Sequence, residues 1–175
     1  MKVIGLSASP IKGGNTETAV QAVLDGACRA GAQAEFVRLY ELNIAPCDGC
    51  DGCTAGRGCV IGDDAFFLMN RLVSADAIVF GTPIYWYHVS GVLKNFIDRT
   101  YATYHHKDLA GKRVVALMIQ HSSGADEAAS LFRRWCRDQQ CTLVRSVVIV
   151  TESRPGLVAE DADLLRRLHE AGGQL

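Results

Sequence analysis

The chain has 175 residues, of which 49% are hydrophobic and 21% charged, with a formal net charge of −1. That length suits one domain with a full core, and the composition is globular rather than disordered. The charge balance gives no basic footprint for nucleic acid, and it is unlike the acidic surface that steers a dedicated small electron carrier to basic partners.

The start, MKVIGL, turns polar too soon for a signal segment, and the longest apolar runs, such as VVALMI, are strand-sized. A cytoplasmic protein with no membrane span is expected. KVIGL reads as a buried strand. Helical spacing at Ala19, Val23, Ala27 and Ala30 follows, with a stop at Gly31. AEFVRLY is the second strand, and an irregular, cysteine-rich insertion covers about residues 43–62. DDAFFLMNRLVSA is a short helix with an acidic start, and DAIVFGT is the third strand. GVLKNFIDRTYA is a helix with Val92, Leu93, Phe96 and Ile97 on one side. KRVVALMIQ, DEAASLFRRWCRDQQ, CTLVRSVVIV and EDADLLRRLHEAG continue as strand, helix, strand and helix.

No repeat, low-complexity stretch or linker divides residues 1–175, so a single domain is expected. Strands alternating with helices predict an α/β fold: a doubly wound, five-stranded parallel sheet with helices on both faces. Ligands in such folds bind beyond the carboxyl ends of the strands, at the switch point. Three loops reach that edge, at 7–16, 82–90 and 120–125.

The first loop, SASPIKGGNTE, holds Ser7, Ser9, Asn15 and Thr16 as small donors. Gly13 and Gly14 allow close backbone approach, and Lys12 adds charge. Such a loop before a helix suits one terminal phosphate, although it matches neither the P-loop nor the dinucleotide glycine pattern. The alternative is an ordinary loop in which Asn15 or Thr16 caps the helix. The second loop, GTPIYWYHVSG, brings Pro83, Tyr85, Trp86 and Tyr87 to the end of the third strand, where they suit the edge of a flat heterocycle. The same aromatics would equally cap the core or a subunit interface. The third, QHSSGAD, offers further small donors or is a plain loop capped by Asp126.

Together the segments SASPIKGGNTE, PCDGCDGC…GCVIGDD and ADAIVFGTPIYWYHVSGVLKNFIDR resemble the flavodoxin-like NAD(P)H-dependent FMN reductase family, in order and spacing, from Met1 to about Arg99. From Tyr101 onward only the strand–loop–helix rhythm matches. The resemblance implies a flavodoxin-like fold with FMN as cofactor and NAD(P)H as electron donor. Its phosphate would sit among Ser7, Ser9, Lys12, Gly13, Gly14, Asn15 and Thr16. Its ring would contact Pro83, Ile84, Tyr85, Trp86, Tyr87 and His88, and also Gln120, His121, Ser122, Ser123 and Gly124. A homodimer or a dimer of dimers is also implied. Tyr87 and His88 stand where relatives often carry smaller residues.

Cys47, Cys50, Cys53 and Cys59 follow the spacing C-x2-C-x2-C-x5-C, separated by turn-forming Asp and Gly. Three thiolates at such intervals can meet three irons of one cubane. Free or redox-active thiols are the second reading and a zinc site the third. The spacing also resembles the compact motif of the iron-sulfur flavoproteins, a branch of the same family, which implies a 4Fe–4S cluster. Cys28, Cys136 and Cys141 read as buried or half-buried thiols.

Trp86, His88 and His121 are the catalytic candidates, the histidines as proton or hydrogen-bond donors or as merely structural residues. The expected function is FMN-dependent oxidation of NAD(P)H or a small substrate, with electrons passed to a small-molecule or protein acceptor, in one version through the cluster. The rivals are an electron carrier without a substrate pocket, a cluster-free FMN or quinone reductase, and a binding module with structural zinc.

Overall fold

The computed structural model describes residues 1–175. Its parallel strands are β1 (Lys2–Ser7), β2 (Gln33–Arg38), β3 (Ala77–Tyr85), β5 (Arg113–Gln120) and β6 (Thr142–Val150), in the order β2-β1-β3-β5-β6. A sixth, two-residue strand, β4 (His88–Val89), pairs antiparallel with the end of β3. The order reverses direction at β1, which lies between β2 and β3, so a switch-point crevice opens at the carboxyl ends of β1 and β3.

Alternation along the strands sorts the core into two layers. Ile4, Leu6, Ile78, Phe80, Val114, Ala116 and Met118 face one side, where they pack on α2 (Asp64–Val73), α3 (Gly91–Arg99) and α5 (Ala125–Asp138). Val3, Ala77, Val79, Val115 and Leu117 face the other, against α1 (Asn15–Arg29) and α7 (Ala162–Gly173). Burial on both faces explains why the strands read as near-continuous apolar runs. Helices α1 and α7 touch backbone to backbone. A Cβ on Gly26 would lie 2.0 Å from the His169 carbonyl oxygen, and one on Gly172 would lie 1.9 Å from that of Val23.

Several boundaries differ from the sequence expectation. Strand β3 continues through Pro83 to Tyr85, because Thr82 and Pro83 still pair with Met118 and Ile119 of β5. The helix expected over GVLKNFIDRTYA breaks at Thr100 into α3 and a short α4 (Tyr101–Tyr104), and the Thr100 hydroxyl donates to the Ile97 carbonyl. The final helix forms as α7, with Asp161 capping it through the Leu164 N–H, and a short α6 (Leu157–Glu160) that the sequence reading did not include precedes it. Cys28 is exposed rather than buried, since it lies on the solvent side of α1. Burial pushes the Cys136 thiol up to about 12 and that of Cys141 up to about 11, so both stay protonated and inert. No helix is long and apolar enough to cross a membrane.

Candidate functional site

A cleft of about 540 Å³ opens at the carboxyl ends of the sheet, between the loops that follow β1, β3, β5 and β6. The β1 loop reaches it with Ser9, Lys12, Gly13, Gly14, Asn15 and Thr16. Helix α1 has Gly14 as its N-cap and no side-chain cap, so neither Asn15 nor Thr16 plays that role. The first N–H to find a helical acceptor is that of Thr18, on the Gly14 carbonyl. The amides of Asn15, Thr16 and Glu17 therefore stand at the positive end of the helix without protein acceptors. At the end of β1 the Ser7 side chain is 1% exposed, and its hydroxyl has no hydrogen-bond partner.

Charges around this loop are mostly paired. Glu17 accepts from the Gly13 N–H at 3.0 Å and from Arg38 Nε at 2.8 Å, and the Arg38 guanidinium holds its carboxyl below the ordinary range. Lys12 lies on the cleft wall but its ammonium pairs with Glu41 at 2.6 Å. Asn15 spends its amide on structure: Nδ2 donates to the Arg154 carbonyl at 2.8 Å, and Oδ1 accepts from the Val158 N–H at 3.1 Å.

Pro83, Ile84 and Tyr85 form the second wall. Burial pushes the Tyr85 phenol above its ordinary pKa, so it remains a hydrogen-bond donor at neutral pH. Beyond it, Trp86 (φ 49°) and Tyr87 (φ 64°) form the two-residue tip of the β3–β4 hairpin. Two left-handed residues are what such a tip demands, but Asn and Gly normally fill it; bulky side chains there store strain. Trp86 is 93% exposed. The hairpin is tied down at its base: the Ser90 N–H donates to Thr82 Oγ1, and Ser90 Oγ donates to the Ala8 carbonyl at 2.8 Å.

The third wall comes from Ile119, Gln120 and His121, with Thr151, Ser153, Arg154, Pro155 and Gly156 after β6. Gln120 accepts from the Ala125 N–H and so holds the start of α5, whose N-cap is Gly124 rather than Asp126. Gly124 has φ +104°, and a Cβ there would lie 2.9 Å from the Tyr87 ring. His121 Nδ1 is 2.9 Å from Ser153 Oγ, which fixes the imidazole against the cleft wall.

The cleft thus gathers the first-loop residues other than Ser7, together with Pro83, Ile84, Tyr85, Gln120 and His121. Trp86, Tyr87 and His88 stand on the hairpin beside it, and Ser122, Ser123 and Gly124 stand on the turn into α5. The 151–156 loop escaped the sequence reading. Its signal was the small and turn-forming residues in TESRPG at the carboxyl end of the last strand, which the switch-edge rule covers as fully as the other three.

The cysteine segment lies to one side and is closed at its neck. Asn43 N–H donates to Asp64 and Ala45 N–H to Asp63, which also caps α2. Arg99, 2% exposed, bonds Asp63 through both terminal nitrogens at 2.7 and 3.0 Å. Burial pulls the Asp63 carboxyl upward, but the bonds from Arg99 and the Ala45 N–H outweigh it and leave it below the ordinary range. Within the loop, Cys47 and Cys50 are exposed, while Cys53 and Cys59 are half-buried against the core.

The model of the NADPH-dependent FMN reductase family matches residues 1–154. The chain belongs to the NADPH-dependent FMN reductase family. An iron-sulfur flavoprotein of Methanocaldococcus jannaschii is 38% identical over 100 residues, covering 57% of this chain and 52% of that one. One from Archaeoglobus fulgidus is 32% identical over 127 residues, covering 73% and 58%. The matched region thus spans a little over half the length of these relatives. Among solved structures, an NADH:FMN oxidoreductase superposes with a TM-score of 0.72 at 20% identity, covering 99% of this chain and 87% of that one, a likeness of fold.

The residues present fit the cofactor in this family's name. A phosphate needs open amides at a helix start, and α1 offers three; the Ser7 hydroxyl at the end of β1 is also without a partner. The cleft volume is in the range of cofactor sites. The cysteines fit a cluster less directly: no three His, Cys, Asp or Glu side chains are gathered as a metal site. As placed, the four sulfurs do not converge.

Proposed function

We propose that this chain is an FMN-dependent oxidoreductase that takes hydride from NAD(P)H, or from a small substrate, and delivers electrons to an acceptor. The observation that carries the reading is the uncapped start of α1, whose Asn15, Thr16 and Glu17 amides lie at the switch-point cleft. FMN, when bound, supplies the chemistry of hydride acceptance and electron delivery.

The protein's own part is to bind, orient and shield. The α1 amides and the Ser7 and Ser9 hydroxyls would hold the phosphate, and paired Lys12 and Glu17 leave the helix start to set the local field. Pro83 and Ile84, in a strand braced by Ser90, offer a rigid edge to the ring. His121, oriented by Ser153, keeps Nε2 free to hold or release a proton beside the bound group. The exposed Trp86–Tyr87 tip is placed to cover a substrate from the hairpin side.

For the cysteine segment, the x2-x2-x5 spacing and the names of the relatives support a 4Fe–4S cluster on Cys47, Cys50, Cys53 and Cys59. Loading it would require the segment to close further than it does here, and no electron step is routed through it. The unpaired state of all seven cysteines supports a reducing compartment, in keeping with the cytoplasm. Equilibrium titration with FMN and with riboflavin tests the reading. FMN should bind at least tenfold more tightly, because only it carries the phosphate; equal affinity would reject this site.

A further inference from the structure

Ser90 stands at the N-cap of α3, where a serine ordinarily spends its hydroxyl on the first amides of the helix. Here it makes no such bond. The residue is fully buried, and its hydroxyl donates instead to the Ala8 carbonyl at 2.8 Å, 82 positions away in the chain. Its backbone N–H donates to Thr82 Oγ1 at 3.1 Å, and that hydroxyl donates on to the Pro83 carbonyl at 2.9 Å. Ala8 and Thr82 are fully buried as well. One residue thus joins the loop after β1 to the root of the Pro83 wall through three linked hydrogen bonds.

The bond to Ala8 has a directional consequence. The Ala8–Ser9 peptide is planar and trans, so its N–H points opposite to its carbonyl. With the carbonyl held by Ser90, the Ser9 N–H is turned away from Ser90, and it meets no acceptor within the protein. Ser9 itself lines the cleft. Its amide is a further open donor in addition to those of Asn15, Thr16 and Glu17, and the peptide that carries it is oriented from the opposite wall. On that wall the hairpin depends on its base. Trp86 and Tyr87 hold left-handed conformations at the tip, and only two residue pairs join β3 to β4.

We propose that Ser90 is a positioning residue that couples the two ends of the cleft: an anion held on the loop after β1 and a flat ring held on the Pro83 wall bind cooperatively through it. Either ligand orders one end of the bond chain, so the second meets a wall already fixed. The inference rests on the FMN reading given above, and it adds that phosphate and ring are not independent anchors.

The test splits the cofactor into two probes, inorganic phosphate and riboflavin, on the whole flavin-free chain, with chloride at matched ionic strength as the control. Saturating phosphate should tighten riboflavin binding about fivefold or more, read by quenching of riboflavin fluorescence. Riboflavin should tighten phosphate binding by the same factor, as linkage demands, read by calorimetry. In Ser90→Ala the two probes should bind independently, and the preference for FMN over riboflavin should fall by about that factor. Thr103→Val removes another buried hydroxyl, one that bonds Gln139 outside the cleft lining; it should lower the melting temperature and keep the coupling. If Ser90→Ala does not fold, Ser90→Cys, with a weak S–H donor, carries the same expectation. Coupling that survives in the Ser90 variants, that is lost as readily in Thr103→Val, or that is absent from wild-type protein while FMN binds tightly would overturn the proposal and leave the FMN reading standing. Equal affinity of the wild-type protein for FMN and riboflavin would remove that reading, and the proposal with it.

Discussion

Replacing Asn15 by Asp separates the two tasks at the start of α1. The side chain donates to the Arg154 carbonyl and accepts from the Val158 N–H. Asp keeps the acceptor and loses the donor, at about 0.5–1.5 kcal/mol, and it sets a carboxylate against a carbonyl oxygen. For a chain of this size, each kcal/mol shifts the melting temperature by about 2–4 °C, so a fall of roughly 1–6 °C is expected. Binding should suffer more. A unit charge near the phosphate costs on the order of 1–4 kcal/mol, depending on solvent exposure, which corresponds to about 5–1000-fold in affinity. FMN titration by fluorescence quenching, with riboflavin in parallel and salt varied, reads this out. FMN affinity should fall at least fivefold, riboflavin affinity should fall less, and added salt should restore part of the loss. The expected drop in melting temperature with unchanged FMN affinity would refute a phosphate at this helix start.

Relaxing the hairpin tip with Trp86→Asn and Tyr87→Gly should raise stability by about 1–2 kcal/mol while slowing flavin reduction by NAD(P)H; thermal melts and stopped-flow traces on the same samples decide. Gly172→Ala places a methyl against the Val23 carbonyl oxygen, 1.9 Å away, and should destabilise the chain by roughly 3 kcal/mol or more in urea unfolding without a specific change in FMN affinity. The depressed Glu17 carboxyl contributes stability that is fully present above its unfolded value of about 4.3 and is lost as pH falls through its lower folded value. Glu17→Gln should therefore flatten the decline of melting temperature on the acid side of about pH 4.

The positions of the parallel strands and of most helices were legible because buried parallel strands write themselves as apolar runs, and the alternation of Ile4 and Leu6 with Val3 matches the two layers. Three walls of the cleft were legible because small donors and aromatics follow β1, β3 and β5. The fourth wall was overlooked although Pro155 and Gly156 signal a turn there; Glu152 and Ser153, with φ of 48° and 61°, turn the chain just before them without a glycine of their own. Trp86 and Tyr87 hid the hairpin for the same reason. Arg99 was missed because it was read as part of an amphipathic helix, although it lies three residues after Phe96 on the apolar stripe, where a cation needs a buried partner. That partner, Asp63, lies 36 positions away, a separation no local pattern reveals. The spacing of the cysteines was plain, but how far the loop gathers their sulfurs depends on tertiary contacts.

Anaerobic titration of the FMN-loaded protein with NADPH and with NADH tests the central claim most directly. The account predicts one FMN per chain whose visible absorbance bleaches with one equivalent of at least one nicotinamide, and returns when an acceptor is added. A bound flavin that neither nicotinamide bleaches over hours would contradict it.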